Sequence, residues 1–323
     1  MTRTSPREIL LVHNGSSRVG RDACERAVGI LRAGGYEPRP LQAATAEALS
    51  RDLTATLRNA STRIAAVVAV GGDGMVHLVL QSLNLLREQG VEFPFGLIPA
   101  GSGNDLARFH GVAVGDVERA AGRVLRGLKS PERSMDLVHV TCADGSHHVC
   151  ATAVCLGLDA RVNSRANRWS RVTHSVKYVA ALAVEAVSMR ARRYDLSWTG
   201  PDGACHVSDR TLTFLALTNT SSIGGGLTIV PRADPTDGAG ELFMVSDVGA
   251  LRLAWLLPRL FLGTHESLRE VTVVPATAAT VAVHGIPSEP QDADGDAAYG
   301  DGERLGPLPA SLKVLPAAVR VLF

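Results

Sequence analysis

Lysine is nearly missing from the chain: of 33 basic residues only Lys129, Lys177 and Lys313 are lysines, and none directly follows a glycine. A Walker-type phosphate loop needs a Gly-Lys pair to reach the terminal phosphates, so that loop is excluded. Charge of one sign is lacking as well, with 33 basic residues against 32 acidic ones and a net charge of +1. No whole-surface field draws the chain to nucleic acid or anionic lipid, and any such partner needs a local site. The five cysteines, Cys24, Cys142, Cys150, Cys155 and Cys205, include no Cys-x-x-Cys pair and no zinc spacing, and their odd number closes no disulfide framework. They read as reduced, mostly buried thiols. Long apolar runs are also missing. Ile9–Val12 is too short for a secretory core. The uncharged stretch Thr211–Pro231 is broken by Thr-Asn-Thr-Ser-Ser and three glycines, and Val271–Ser288 by Pro275 and Pro287. No transmembrane segment and no export are expected, which points to a cytoplasmic protein.

What is present is a globular composition, 323 residues at 46% hydrophobic and 20% charged, long enough for two domains with separate cores. The first 130 residues alternate β-branched runs with helical periodicity, the pattern of a parallel sheet covered by helices. Strands are expected at Ile9–Val12, Ile64–Val70 and Phe95–Ile98. Helices are expected over residues 21–33, after Thr45, from Gly74 to Gly90, and over Asp116–Leu128. After about residue 134 the texture turns antiparallel: Met135–Cys142, His147–Val154, Tyr194–Trp198, Leu212–Thr218, Leu312–Leu315 and Val319–Leu322 read as strands. Helices are expected over Thr173–Arg190 and Ala250–Leu262, the second broken at Pro258.

Two glycine-rich segments each follow a strand and precede a helix, which puts both at the C-terminal edge of the parallel sheet, where open α/β sheets bind ligands. Glycine lets backbone N–H groups approach phosphate oxygens, and helix N-termini add partial positive charge, so such loops hold phosphate without lysine. Gly71-Gly72-Asp73-Gly74 alone also reads as a tight turn with Asp73 as a cap. A second Gly/Ser/Asn/Asp loop within about 30 residues, at the same edge, favours the phosphate reading.

Gly71-Gly72-Asp73-Gly74-Met75-Val76-His77 and Pro99-Ala100-Gly101-Ser102-Gly103-Asn104-Asp105-Leu106-Ala107-Arg108 resemble the paired nucleotide motifs of the diacylglycerol kinase catalytic family, which includes soluble bacterial lipid kinases and the sphingosine and ceramide kinases. Asn219, Gly224-Gly225-Gly226, Pro231, Ala233 and Asp237-Gly238 resemble its second-domain signature, and Asp301-Gly302-Glu303 with Gly306-Pro307-Leu308-Pro309 its late Asp-Gly-Glu segment. The resemblance covers nearly the whole chain. It implies an α/β nucleotide-binding domain (residues 1–133 with a C-terminal return at 311–323), an antiparallel β-sandwich domain for the lipid (134–310), and an active site in the cleft between them.

Carried over residue by residue, the resemblance makes Glu303 the general base toward the acceptor hydroxyl, Asp73 the residue that orients the nucleotide phosphates or their Mg²⁺, and Asp136 part of a water-mediated Mg²⁺ network. It gives nucleotide contacts to Asn14, Ser16, Thr45, Gly71, Gly72, Asp73, Gly74, Met75, His77, Gly101, Ser102 and Asn104. It also implies a structural Mg²⁺ at Asp237, with Asp234 and Ala239. Read without the resemblance, Glu303 is a turn glutamate, Asp136 an edge-strand surface carboxylate, Thr45 a helix cap and Asp237-Gly238 a plain turn. Three positions depart from the family: Met75 stands where a threonine is usual, Asn14-Gly15 replaces Asn-Pro, and Ser102 replaces a threonine while keeping its hydroxyl.

Asp292-Ala293-Asp294-Gly295-Asp296 imitates a calcium loop, but Ala297 occupies the position that must be glycine and the flanking prolines deny it helices. Arg161, Arg165, Arg168 and Arg171 with Trp169 and Lys177 read as a solvated face or, alternatively, a docking patch for an anionic membrane. Trp255, Leu256, Leu257, Phe261 and Leu262 read as a core helix or, alternatively, as the lining of an acyl-chain site. The expectation is an ATP- and Mg²⁺-dependent kinase of diacylglycerol or a related lipid, transiently membrane-associated, with no nucleic-acid partner; a homodimer is left open. The alternatives are a kinase of a soluble substrate such as NAD, or a catalytically silent nucleotide-binding regulator.

Overall fold

The computed structural model describes residues 7–59, 63–156, 191–249, 263–285 and 297–323, together with Arg252, Trp255 and Arg259. The arginine-rich stretch 161–171, the helix expected over Thr173–Arg190 and the acidic segment 292–296 lie outside the described residues. Of the helix expected over Ala250–Leu262, the three described residues are helical. The chain divides into two compact units, Met1–Met135 with Ala317–Phe323, and Asp136–Pro316.

The first unit runs β1 Glu8–Asn14, α1 Arg18–Ala33, β2 Glu37–Ala43, α2 Ala46–Asn59, β3 Ile64–Gly71, α3 Asp73–Arg87, β4 Phe95–Pro99, α4 Asp105–Phe109 and α5 Val117–Gly127. Its four strands are parallel in the order β2-β1-β3-β4. β3 is buried at every residue from Ile64 to Val70, as a strand covered on both faces must be. Right-handed crossovers leave the sheet in opposite directions from β1 and β3, which groups α1 with α5 on one face and α2 with α3 on the other. The order reverses between β1 and β3, so the switch-point crevice opens between Asn14 and Gly71.

Strand β2 was not expected from the sequence, because its segment holds Pro38 and Pro40. Both prolines are tolerated at the sheet edge: residues two apart direct their nitrogens to the same side, here away from β1. The C-terminal residues complete this unit, with Leu322 N–H donating to the Phe95 carbonyl at 2.9 Å and the Phe323 ring edge-on to Phe95. A Cβ on Gly127 would lie 2.5 Å from the Leu322 carbonyl oxygen, so only glycine lets α5 end there.

The second unit is built from β5 Ser134–Cys142, β6 His147–Cys150, β7 Ala153–Leu156, β8 Arg192–Thr199, β9 Cys205–Thr218, β10 Ser222–Ile223, β11 Leu227–Thr228, β12 Gly240–Ser246, β13 Val271–Ala276, β14 Ala278–Val283, β15 Ala297–Gly300, β16 Glu303–Pro307 and β17 Ala310–Arg320. One large sheet has the order β16-β15-β7-β9-β8-β14-β17-β5-β6, with β12 joining β9 and β13. Its pairs are antiparallel from β16 to β17 and again between β5 and β6. Alternate residues such as Val138, Leu196, Leu215, Leu242 and Val281 meet in one apolar core, and Ala216, Phe243 and Ile229 in another.

Two expectations need correction. The strand expected over His147–Val154 is two strands, because the Ala151 and Thr152 amides leave the ladder to bind the Asp301 carboxylate. The two final strands are one, β17, which keeps its run through a left-handed residue, Ala317, at φ 47°. Among the described residues no helix is long and apolar enough to cross a membrane. Cys24, Cys142, Cys150 and Cys155 are buried and Cys205 is exposed.

Candidate active site

In the first unit the two glycine loops are joined backbone to backbone. A Cβ on Gly101 would lie 2.2 Å from Gly72 Cα and 2.8 Å from its nitrogen, a contact that no side chain allows. The Ala100 amide donates to the Gly71 carbonyl at 2.8 Å across the same junction. Asp73 locks it: its Oδ2 accepts the Asn104 amide at 2.7 Å and its Oδ1 accepts the Asp105 amide at 2.8 Å. Hydrogen bonds to a charged acceptor contribute about 1.5–3 kcal/mol each, so this pair outweighs the strain of Asn104, which sits at φ 55°. Asn104 is buried and adds a local clasp, its side chain exchanging hydrogen bonds with Gly101 N–H and carbonyl. A Cβ on Gly103 would lie 2.3 Å from Asp73 Oδ2, so glycine is required there too.

The result is a rigid glycine edge with Gly74, Gly101 and Ser102 exposed. Helix α3 opens at Gly72 with no side-chain cap, which leaves the positive end of its dipole to attract an anion. Asn14 and Ser16 stand exposed at the end of β1, where Asn14 Oδ1 accepts the Ser16 amide at 2.8 Å. Thr45 lies after β2 and caps α2 through the Ala48 amide at 3.2 Å, which is the role its residue type alone suggested. Met75 is half-buried and packs toward Gly71, while His77, one turn from Asp73, contacts the Gln81 amide.

The second unit collects the remaining acidic residues. Asp136 is 2% exposed, so the surface-carboxylate reading is wrong for it. Its Oδ2 accepts the Gly238 amide at 2.7 Å, which ties β5 to the Asp237-Gly238 turn. Asp237 Oδ1 accepts the Ala239 amide, and Asp234 Oδ1 accepts the Thr236 amide and hydroxyl, so each of these carboxylates organises its own turn. Asp301 and Gly302, at φ 52° and 85°, form a two-residue hairpin turn between β15 and β16, the conformation that Asp-Gly favours. Glu303 leaves this turn exposed to solvent. A Cβ on Gly300 would lie 2.2 Å from Cys150 Sγ, which fixes glycine ahead of the turn. Burial, reinforced by the nearby Asp301 charge, pushes the Cys150 thiol well above its ordinary range and keeps it inert.

Sequence reasoning assigned no role to Thr152 and named Asn219 only as part of a signature, yet Thr152 donates its hydroxyl to the Asp301 carboxylate and Asn219 its amide to the Asp136 carbonyl. Nothing local in the sequence marks them. Their partners lie 149 and 83 residues away.

Comparison with known proteins agrees with this architecture. Residues 8–140 match the diacylglycerol kinase catalytic domain, and residues 152–323 match the YegS C-terminal NAD kinase beta sandwich-like domain. The fold and its paired glycine loops are those of a lipid-kinase-type phosphotransferase. The chain belongs to the diacylglycerol kinase family: it is 34% identical over 257 residues to a diacylglycerol kinase of Mycobacterium tuberculosis, covering 80% of this chain and 76% of that protein. A 147-residue stretch is 33% identical to human sphingosine kinase 2, covering 41% of this chain and 21% of that protein. The fold is also similar to the crystal structure of a diacylglycerol kinase from Bacillus anthracis, with a TM-score of 0.67 at 15% identity over 98% of this chain and 96% of that one.

Proposed function

We propose that the chain transfers the γ-phosphoryl group of ATP, with Mg²⁺, to a hydroxyl of a diacylglycerol or related lipid presented at a membrane surface. The products are ADP and a phospholipid monoester of the phosphatidic acid type. The observation that carries this reading is the Gly72–Gly101 junction locked by Asp73, which sets the exposed residues Gly74, Gly101 and Ser102 at the switch-point edge. Residues 1–133 with 311–323 would hold the nucleotide and residues 134–310 the lipid. Asn14, Ser16, Thr45, Gly71 to Met75, His77, Gly101, Ser102 and Asn104 supply the nucleotide side, with Asp73 acting chiefly by fixing the loops.

Glu303 accepts the hydroxyl proton as the lipid oxygen attacks phosphorus. The new oxygen–phosphorus bond forms as the bond to the β,γ-bridging oxygen breaks, and the electron pair leaves with ADP. A positioned base contributes about 10²–10⁴ in rate. Its place on a tight hairpin, open to solvent, supports that role. Magnesium takes hard oxygen donors and keeps much of its water. The buried Asp136 carboxylate, held by the Gly238 amide, suits an ion bound through such water. When bound, Mg²⁺ neutralises phosphate charge. Asp234, Asp237 and Ala239 have the donors for a structural ion, but their turns are already closed by protein hydrogen bonds, and no step depends on them.

Two other readings have a stated motive. The NAD-kinase-like description of the second domain motivates a soluble acceptor such as NAD. Met75 and Gly15 motivate a silent nucleotide-binding regulator. Label transfer from γ-labelled ATP to micelles of diacylglycerol, monoacylglycerol, ceramide or sphingosine, with NAD in parallel, separates the three. Labelled lipid supports the kinase proposed, labelled NAD the soluble kinase, and nucleotide binding without product the regulator.

A further inference from the structure

Within the second unit, one buried side chain bonds both the backbone of Asp136 and the strand break that holds the turn ahead of Glu303. Asn219 is 1% exposed at the end of β9. Its Nδ2 donates to the Asp136 carbonyl at 2.9 Å and to the Ala151 carbonyl at 2.9 Å, and its backbone N–H donates to the Thr152 carbonyl at 2.7 Å. The Ala151-Thr152 pair is thus gripped by its carbonyls from one side. From the other side Asp301 grips it by its donors: Oδ2 accepts the Ala151 amide at 2.8 Å, and Oδ1 accepts the Thr152 amide at 2.8 Å and its hydroxyl at 2.5 Å. Asp301 is the first residue of the turn that delivers Glu303.

The break between β6 and β7 therefore has a use. Two amides that a continuous strand would have spent on its ladder are redirected to hold a carboxylate in a left-handed residue at φ 52°. Aspartate at that position costs conformational energy, which three charge-assisted hydrogen bonds offset. Asn219 Oδ1 is buried with no hydrogen-bond partner among the described residues, and its two donated bonds orient the side chain. An aspartate in its place would turn those donors into acceptors facing two carbonyls.

We infer that Asn219 and Thr152 are positioning residues for the phosphoryl transfer, setting Glu303 through Asp301 and tying that turn to the strand that carries Asp136. This rests on the kinase reading above. A misplacement of about 1 Å at a reacting group can cost on the order of 10²-fold in rate, so a small shift of the hairpin suffices.

The test uses the full chain, saturating Mg·ATP and lipid micelles. Thr152→Val removes only the hydroxyl donor. It is expected to lower kcat about 10-fold while leaving the KM for ATP unchanged, and Thr152→Ser is expected to restore turnover. On a Glu303→Gln background Thr152→Val should change nothing further, because its effect runs through Glu303. Asn219→Asp should lower kcat more than Thr152→Val does; if it fails to fold, Thr152→Val with its serine rescue carries the test alone. Multiplying effects in the double variant, or a raised KM with unchanged kcat, would overturn the positioning role while leaving the kinase reading intact. No lipid turnover by the unaltered chain would overturn the kinase reading, and the positioning role with it.

Discussion

The carboxylate of Asp73 and the backbone amide of Asn104 stand 2.7 Å apart across 31 residues of sequence. This bond, with its twin to Asp105, makes one continuous edge out of two glycine loops. Asp73→Asn would set a side-chain NH₂ against one of those amides, donor to donor. The expected cost is about 2–3 kcal/mol of local stability and at least 10-fold in Mg·ATP affinity, read by calorimetric unfolding and by titration calorimetry. Unchanged affinity would show that the loops bind nucleotide without being locked.

Close approach of the loops gives a sharper prediction. Gly101→Ala places a methyl 2.2 Å from Gly72 Cα, so the junction must open, and nucleotide binding should be lost from a chain that keeps its circular dichroism. Gly29→Ala, mid-helix in α1, where no described atom beyond the local helix backbone lies within 4 Å of the added carbon, is the control. It should stabilise by about 0.5–1 kcal/mol and leave turnover alone.

Met75 departs from the family pattern, but the proposed phosphate edge is backbone. Met75→Ala should therefore keep Mg·ATP affinity within about 3-fold, whereas loss of a cradling donor costs about 1–3 kcal/mol. A large loss of affinity on equilibrium titration would assign the Met75 side chain a contact that the glycine edge does not need.

Buried histidines contribute to the loss of stability in acid. His110 lies between the Phe109 and Phe323 rings, and burial, with Arg123 and Arg133 nearby, lowers its pKa to about 4. The unfolded chain binds that proton near pH 6.5, so stability falls as pH drops from about 6.5 toward 4 and levels below that. Burial lowers the buried His13 in the same direction. Unfolding midpoints followed from pH 7 to 4 should fall more steeply for the natural chain than for His110→Gln.

Much of this is legible in the sequence. The unbroken apolar run of β3 and the glycine pair that follows it place the glycine edge, and the Asp-Gly turn places Glu303. Local pattern failed where tertiary partners decide. Pro38 and Pro40 hide an edge strand whose missing N–H groups cost nothing, and Ala151-Thr152 reads as strand until Asp301, 149 residues on, takes its amides. Asp73 could be read as a cap or a ligand, but its two amide partners belong to the other loop and no spacing rule reveals them. Burial of Asp136 was likewise undecidable, since an alternating strand does not say which face is covered.

Phosphoryl transfer itself is the most direct test. Label from γ-labelled ATP with Mg²⁺ should appear in a diacylglycerol-type lipid in mixed micelles and fall at least 10²-fold in Glu303→Gln, with Mg·ATP affinity unchanged. Labelled lipid formed equally by Glu303→Gln would contradict the assignment of the base, and no labelled lipid from the unaltered chain would contradict the account as a whole.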